Sequence, residues 1–136
     1  MTTQPFTKYR KIVPHKLGLN NVVVANGAPV TSSTFSIAGY NQLSFQFALT
    51  RVAATSVTAY VDTSNDGGTT WHRTQTKSIS SGTETLSPRL MTQAVSANEN
   101  WRWEFGGVAS DLARLVVEGV AGTTDRLTVS AEVGVV

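Results

Sequence analysis

The stretch Leu43-Ser44-Phe45-Gln46-Phe47-Ala48-Leu49-Thr50 decides the fold class. Large apolar side chains hold every odd position, and small or polar ones hold every even position. Successive Cβ atoms of a strand point to opposite faces, so this period of two predicts a strand with one face in a core. The pattern recurs on both sides of it. Val57, Ala59 and Val61 alternate with an outward Tyr60, and Leu127, Val129, Ala131, Val133 and Val135 alternate with Thr128, Ser130, Glu132 and Gly134. Trp101, Trp103 and Phe105 share one face of another strand, with Arg102 and Glu104 on the other. Residues 21–25 and 33–38 read as shorter strands, the second with Phe35 and Ile37 on one face. Ser110-Asp111 has the chemistry of a helix cap, but Val116-Val117 and Gly119 turn residues 112–120 into a strand prediction. Residues 72–78 are polar on both faces, which suits a sheet edge or a surface under a partner. Residues 80–99 predict a long connection with one or two short strands. The total is about eight strands, with no convincing helix and no internal repeat, which predicts an all-β chain: a single antiparallel β-sandwich of the jelly-roll type. An immunoglobulin-like sandwich is the next option.

The 136 residues suit one domain. Charged residues make up 15%, against about a quarter in ordinary domains. A surface so light in charge is suited to being covered by protein, because interface cores are depleted in charge. The net charge of +2 is unevenly spread. Residues 1–20 hold four of the eleven bases, Lys8, Arg10, Lys11 and Lys16, and none of the nine acids. Pro5 and Pro14 favour extended backbone there. The expected organisation is therefore a basic, extended N-terminal arm over residues 1–20 and a sandwich over 21–136. With no cysteine, disulfides and cysteine-based zinc sites are excluded. No apolar run approaches the roughly 18 residues of a membrane span, and the N-terminus lacks the apolar core of a signal peptide. Synthesis in the cytosol, away from membranes, is expected.

The residues for catalysis are not gathered by the sequence. His15 and His72 are the two histidines and lie in different segments. The acids are scattered, with no local pair of the glycosidase type, and no serine or threonine has a neighbouring base. No catalytic residue, cofactor or metal site is assigned. Residues 62–73 partly resemble a calcium loop, with Asp62, Ser64, Asp66 and Gly67 at ligand spacing. Arg73, however, stands where a bidentate glutamate is needed. Lys8, Tyr9, Arg10 and Lys11 give a short basic segment with one aromatic. With Lys16 this makes four charges, which attract nucleic acid weakly and in a strongly salt-dependent way and so argue against that partner. Trp101 and Trp103, or Tyr60, offer a stacking platform for a sugar, although Phe105 continues the tryptophan face and points to core.

Ser64-Asn65-Asp66-Gly67-Gly68-Thr69-Thr70-Trp71 resembles the Asp-box hairpin, Ser-x-Asp-x-Gly-x-Thr-Trp. The resemblance implies that Ser64, Asp66, Gly68 and Trp71 build a turn and do no chemistry. More broadly, the phrases 61–71, 112–119 and 125–132 look like those of small structural proteins of tailed bacteriophages, over roughly residues 40–136. That resemblance implies a virion protein of the head decoration, or cement, type. It would sit on the outer capsid surface and stabilise the head, bound to the major capsid protein and to itself as a homo-oligomer, a trimer above all. Lys8, Tyr9, Arg10, Lys11 and Lys16 would bridge neighbouring subunits. A neck or tail accessory protein, or a carbohydrate-binding β-sandwich module, are the alternatives.

Overall fold

The computed structural model describes residues 8–135, with side chains described except at 75–78, 86 and 87. In chain order the strands begin with β1 (Lys8–Ile12), followed by a single helical turn, α1 (Pro14–Leu17). Short strands β2 (Val22–Val23), β3 (Val30–Thr31) and β4 (Phe35–Ser36) lead to the long β5 (Gln42–Thr50) and β6 (Ser56–Ser64). Then come β7 (His72–Arg73), β8 (Gln75–Ser80), β9 (Thr83–Pro88) and β10 (Leu90–Ala94). The chain closes with β11 (Glu99–Gly106), β12 (Leu112–Val120) and β13 (Arg126–Val135).

The first sheet runs β1-β13-β5-β11, and β2 continues the β1 edge of β13. The second runs β10-β6-β12-β3, with β4 further along the β3 edge and β7 further along the β10 edge. All pairings are antiparallel. Taking β3 and β4 as one interrupted strand, and setting aside β2, β7 and the separate β8–β9 hairpin, leaves eight strands. Their order by chain position is 1-8-3-6 in one sheet and 2-7-4-5 in the other. This is the expected jelly roll: successive strands pass from sheet to sheet, except the fourth and fifth, which are neighbours in the second sheet, and fold as two Greek keys.

The core lies between the sheets and follows the alternation. Leu43, Phe45, Phe47 and Leu49 of β5 meet Val57, Ala59 and Val61 of β6, Ala113, Leu115 and Val117 of β12, and Leu127, Val129, Ala131 and Val133 of β13. None of these is more than 4% exposed. Trp101, Trp103 and Phe105 of the edge strand β11 turn toward the same interior and are half-buried, because no further strand covers that side.

Three expectations change. Residues 8–20 do not stand off as an arm. β1 pairs with β13 from Lys8↔Val135 to Ile12↔Ala131, α1 turns the chain, and Ile12, Leu17 and Leu19 are buried in the core. The Val129 N–H donates to the Leu19 carbonyl at 2.9 Å, locking this segment on. The first seven residues of the expected arm lie outside the described residues. Second, the strand expected over 72–78 divides at Thr74. The Thr74 N–H is still held by the Val61 carbonyl, and the chain then leaves the sheet as β8. Third, residues 21–25 yield only the two-residue β2: the Val24 N–H still reaches the Asp125 carbonyl, the next position of the register, and Ala25 then bridges to Ala28 as the chain turns away.

Candidate interaction surfaces

The turn between β6 and β7 is built from its own polar side chains. Ser64 Oγ donates to Asp66 Oδ1 at 2.8 Å and accepts from the Gly68 N–H at 3.0 Å. Asp66 Oδ1 also accepts from the Thr70 N–H at 2.8 Å. These bonds to its charged form hold the Asp66 carboxyl at a pKa of about 2, the Thr70 N–H contributing most. Ser64 is buried, whereas Asp66 is at the surface. Gly68 has φ +91°, and a Cβ there would lie 3.4 Å from Trp71 Cζ2. An alanine at Gly68 must hold a left-handed conformation and press on the indole. Gly68→Ala is therefore expected to destabilise the fold by about 1–2 kcal/mol, read by chemical denaturation.

Next to this turn, on the outer face of the second sheet, two arginines share one carboxylate. Arg73 Nε donates to Asp62 Oδ1 at 2.8 Å and its Nη2 to Oδ2 at 3.3 Å. Arg114 Nε donates to the same Oδ2 at 3.3 Å. Asp62 is only 4% exposed. Burial pushes its pKa up, but the two guanidiniums outweigh that, Arg73 more than Arg114, and the net shift is downward. Each guanidinium also lies on an aromatic ring: Arg73 over Tyr60 and Arg114 over Trp71, both at 4.3 Å from the ring centroid. The register explains the row, since Asp62 pairs with Arg73 on β7 and Arg114 on β12. The position that a calcium loop would give to its cation is filled by a guanidinium. Sequence reading noted Asp62, Arg73 and Tyr60 separately. It did not join them to Arg114 and Trp71, because the row is made across three strands.

The basic residues at the N-terminus are divided by the strand they form. Tyr9 and Lys11 oppose Gly134 and Glu132 on the outer face of the first sheet, while Lys8 and Arg10 point the other way. Lys8 Nζ sits 4.8 Å from the Tyr40 ring centroid. Arg10 Nη2 donates to the Ser36 carbonyl, tying the edge of the first sheet to β4 of the second. Tyr9 is 47% exposed. Lys16 is exposed on α1, beyond Pro14, and apart from the others. A shallow groove crosses this outer face, lined by Lys11, Pro14, Gln46, Ser130 and Glu132. Its floor is made of small and amide side chains.

Trp101 and Trp103 form no outward platform. Trp101 stacks on Phe47 at 5.1 Å with an interplanar angle of 6°, and Trp103 lies 5.9 Å from Phe45. Arg89 covers the end of this row, its guanidinium 4.6 Å from the Phe105 centroid and its Nη1 donating to the Gly106 carbonyl.

One residue escaped sequence reading altogether. Asp125 is fully buried, and its carboxylate accepts from the backbone N–H groups of Val52, Ala53, Ala54 and Thr123. Burial raises its pKa, but these four N–H bonds prevail and hold it at about 2. Asp125 joins the β5–β6 connection to the β12–β13 connection and is a structural group. Among the described residues, no cluster of three or more His, Asp and Glu side chains has metal-ligating geometry.

No family model and no curated protein matches the sequence. A solved structure shares the fold. A chain from the structure of infectious bursal disease virus, Gx strain, superposes with a TM-score of 0.51 at 9% identity, over 94% of this chain and 32% of that one. This chain thus spans about a third of that chain's length. The SPBc2 prophage-derived protein YomS gives a TM-score of 0.44 at 15% identity, covering 98% of both chains. The CBM1 of BiXyn10A, in its apo form, gives 0.42 at 9% identity, over 94% of this chain and 90% of that one.

Proposed function

We propose that this chain is a non-catalytic virion protein of a tailed bacteriophage. In this reading it is a decoration protein that sits on the outer capsid surface, binds the major capsid protein, and assembles with copies of itself, as a trimer. The observation that carries it is the placement of charge on the jelly roll. The middle of the first sheet's outer face, along β5 and β13, is built largely from glycine, alanine, serine, threonine and amide side chains. Three of the bases, Lys8, Arg10 and Lys11, gather on one edge strand. A face with little charge along its middle is suited to desolvation against protein, and a basic edge steers it toward an acidic surface. Weak single contacts are sufficient when many copies bind one shell, because linked sites act with high effective concentration.

The test uses charge, because removing residues 1–16 would also strip β1 from β13 and uncover Leu17. Lys8→Glu with Lys11→Glu keeps the strand and reverses two charges at exposed positions. Occupancy of the double variant on particles purified from the host is expected to fall by roughly tenfold or more, with the melting temperature unchanged. Undiminished occupancy would reject the basic edge as a contact. Finding the chain in rings at the neck or tail, and absent from the shell, would reject decoration in favour of an accessory role.

A further inference from the structure

We propose that the face meeting the shell is the outer face of the second sheet, and that its anchor is the row Tyr60–Arg73–Asp62–Arg114–Trp71, which receives an acidic side chain of the partner protein. This rests on the virion reading above and adds an anchor to the basic edge on β1, whose Arg10 reaches β4 of the second sheet.

Two guanidiniums share one buried carboxylate, which leaves a net positive charge of one. Arg73 spends Nε and Nη2 on Asp62, and Arg114 spends Nε. Guanidinium carries five N–H donors, so among the described residues the terminal nitrogens of Arg114 and Nη1 of Arg73 remain for an outside acceptor. A carboxylate suits this fork because it accepts two parallel N–H bonds. The second point is preorganisation. Each guanidinium is fixed between a ring and Asp62, so little side-chain entropy is left to lose on binding. The third point is the surroundings. Register places Leu90 beside Tyr60 on the strand β10, and Leu90 is 46% exposed. An anionic group bound here would be bordered by apolar surface that sheds water as the partner closes. Arginine, tyrosine and tryptophan around a small desolvated centre are the residue types that dominate protein interfaces. The bland alternative, that the row only fastens the β6–β7 turn, accounts for Arg73. It also accounts for the contact of Arg114 with Trp71, but it gives no use to the terminal nitrogens of Arg114, and β12 needs no further tie because it is already held to β6 along nine paired positions.

The experiment is hydroxyl-radical footprinting of the full chain, free and bound to purified particles. Tyr60, Trp71 and Leu90 are expected to lose most of their labelling on binding. Two variants accompany it. Arg114→Gln removes the fork, and Leu90→Glu places a competing carboxylate beside it at an exposed position that the fold tolerates. Both are expected to weaken particle binding by roughly tenfold or more. Bound chain in which these three residues label as they do when free overturns this inference and leaves the virion reading standing. A chain that never associates with particles overturns both. An oligomer of the free chain that Leu90→Glu dissolves overturns the inference too, since the occupant of the face would then be a second copy. Loss of a glycan ligand on Tyr60→Ala, with particle binding intact, would do the same.

Discussion

Asp125→Ala is expected to lower the stability of this protein by about 4 kcal/mol, a large share of the roughly 5–15 kcal/mol that holds a domain folded. The carboxylate accepts from Val52 N–H at 2.6 Å, from Ala53 and Ala54 N–H at 3.0 Å, and from Thr123 N–H at 3.0 Å. Alanine leaves four donors without an acceptor. Each buried one costs about 1–3 kcal/mol, and those nearer the surface recover part of that from water. Asp125→Asn should cost about half as much, because the amide oxygen can still serve the three donors of the β5–β6 connection while its NH2 opposes Thr123. The pH dependence carries the same signature. The folded pKa of about 2 lies below the ordinary aspartate value of 3.8. The contribution is therefore fully present above pH 3.8 and is lost as pH falls through 2. Its size is about 2 kcal/mol. Denaturant midpoints measured from pH 5 down to pH 2 should decline more steeply for the intact chain than for Asp125→Ala. Parallel declines would mean that this carboxylate is not held as described.

Phe45→Ala should be comparably severe, at about 4 kcal/mol, or a fall in melting temperature of roughly 15 °C for a domain of this size. Phe45 is fully buried at the middle of β5. Its ring meets Phe35 edge-on at 6.3 Å, Trp103 at 5.9 Å, and Phe47 and Phe105 at 6.4 Å. Truncation therefore opens a cavity shared by both sheets and removes the support of the half-buried β11 row. A second signature separates this from ordinary loss of area. The near-ultraviolet circular dichroism of the tryptophans should weaken even under conditions where the variant remains folded. Phe45→Leu, which keeps most of the volume, should recover more than half of the lost stability. A variant as stable as the parent would show that the ring does not bridge the sheets.

The strands that were legible are those with one face in the core. β5, β6, β12 and β13 alternate for eight residues or more, because solvent and core impose opposite demands on neighbouring positions. The jelly roll followed from their number and spacing. The N-terminal segment was not legible for the converse reason. Ile12, Leu17 and Leu19 are buried by a strand, a single helical turn and a loop in succession, so no one period links them, while the bases between them read as a solvated arm. The β8–β9 hairpin belongs to neither sheet and has no face that must be apolar, which removes the signal that finds strands. For the surfaces, the hairpin chemistry of Ser64, Asp66 and Trp71 could be read locally because its partners lie within seven residues. Arg114 is distant in sequence from Asp62 and joins it only once β12 lies beside β6. Asp125 looks like any turn aspartate in Gly122-Thr123-Thr124-Asp125. Its partners are the backbone of residues 52–54, and backbone leaves no trace in a side-chain pattern.

The β8–β9 hairpin has a consequence for how the molecule can be altered. It leaves after β7 and returns at β10, both on the same edge of β6, and the Arg89 N–H closes its neck on the Thr74 carbonyl. Its tip turns tightly at Ser81 and Gly82, both with positive φ. Foreign peptide grafted between these two residues would begin and end at almost one point in space. The eight-strand body would be asked for no rearrangement, and a particle carrying many copies would then present the inserted epitope as a dense, regularly spaced array.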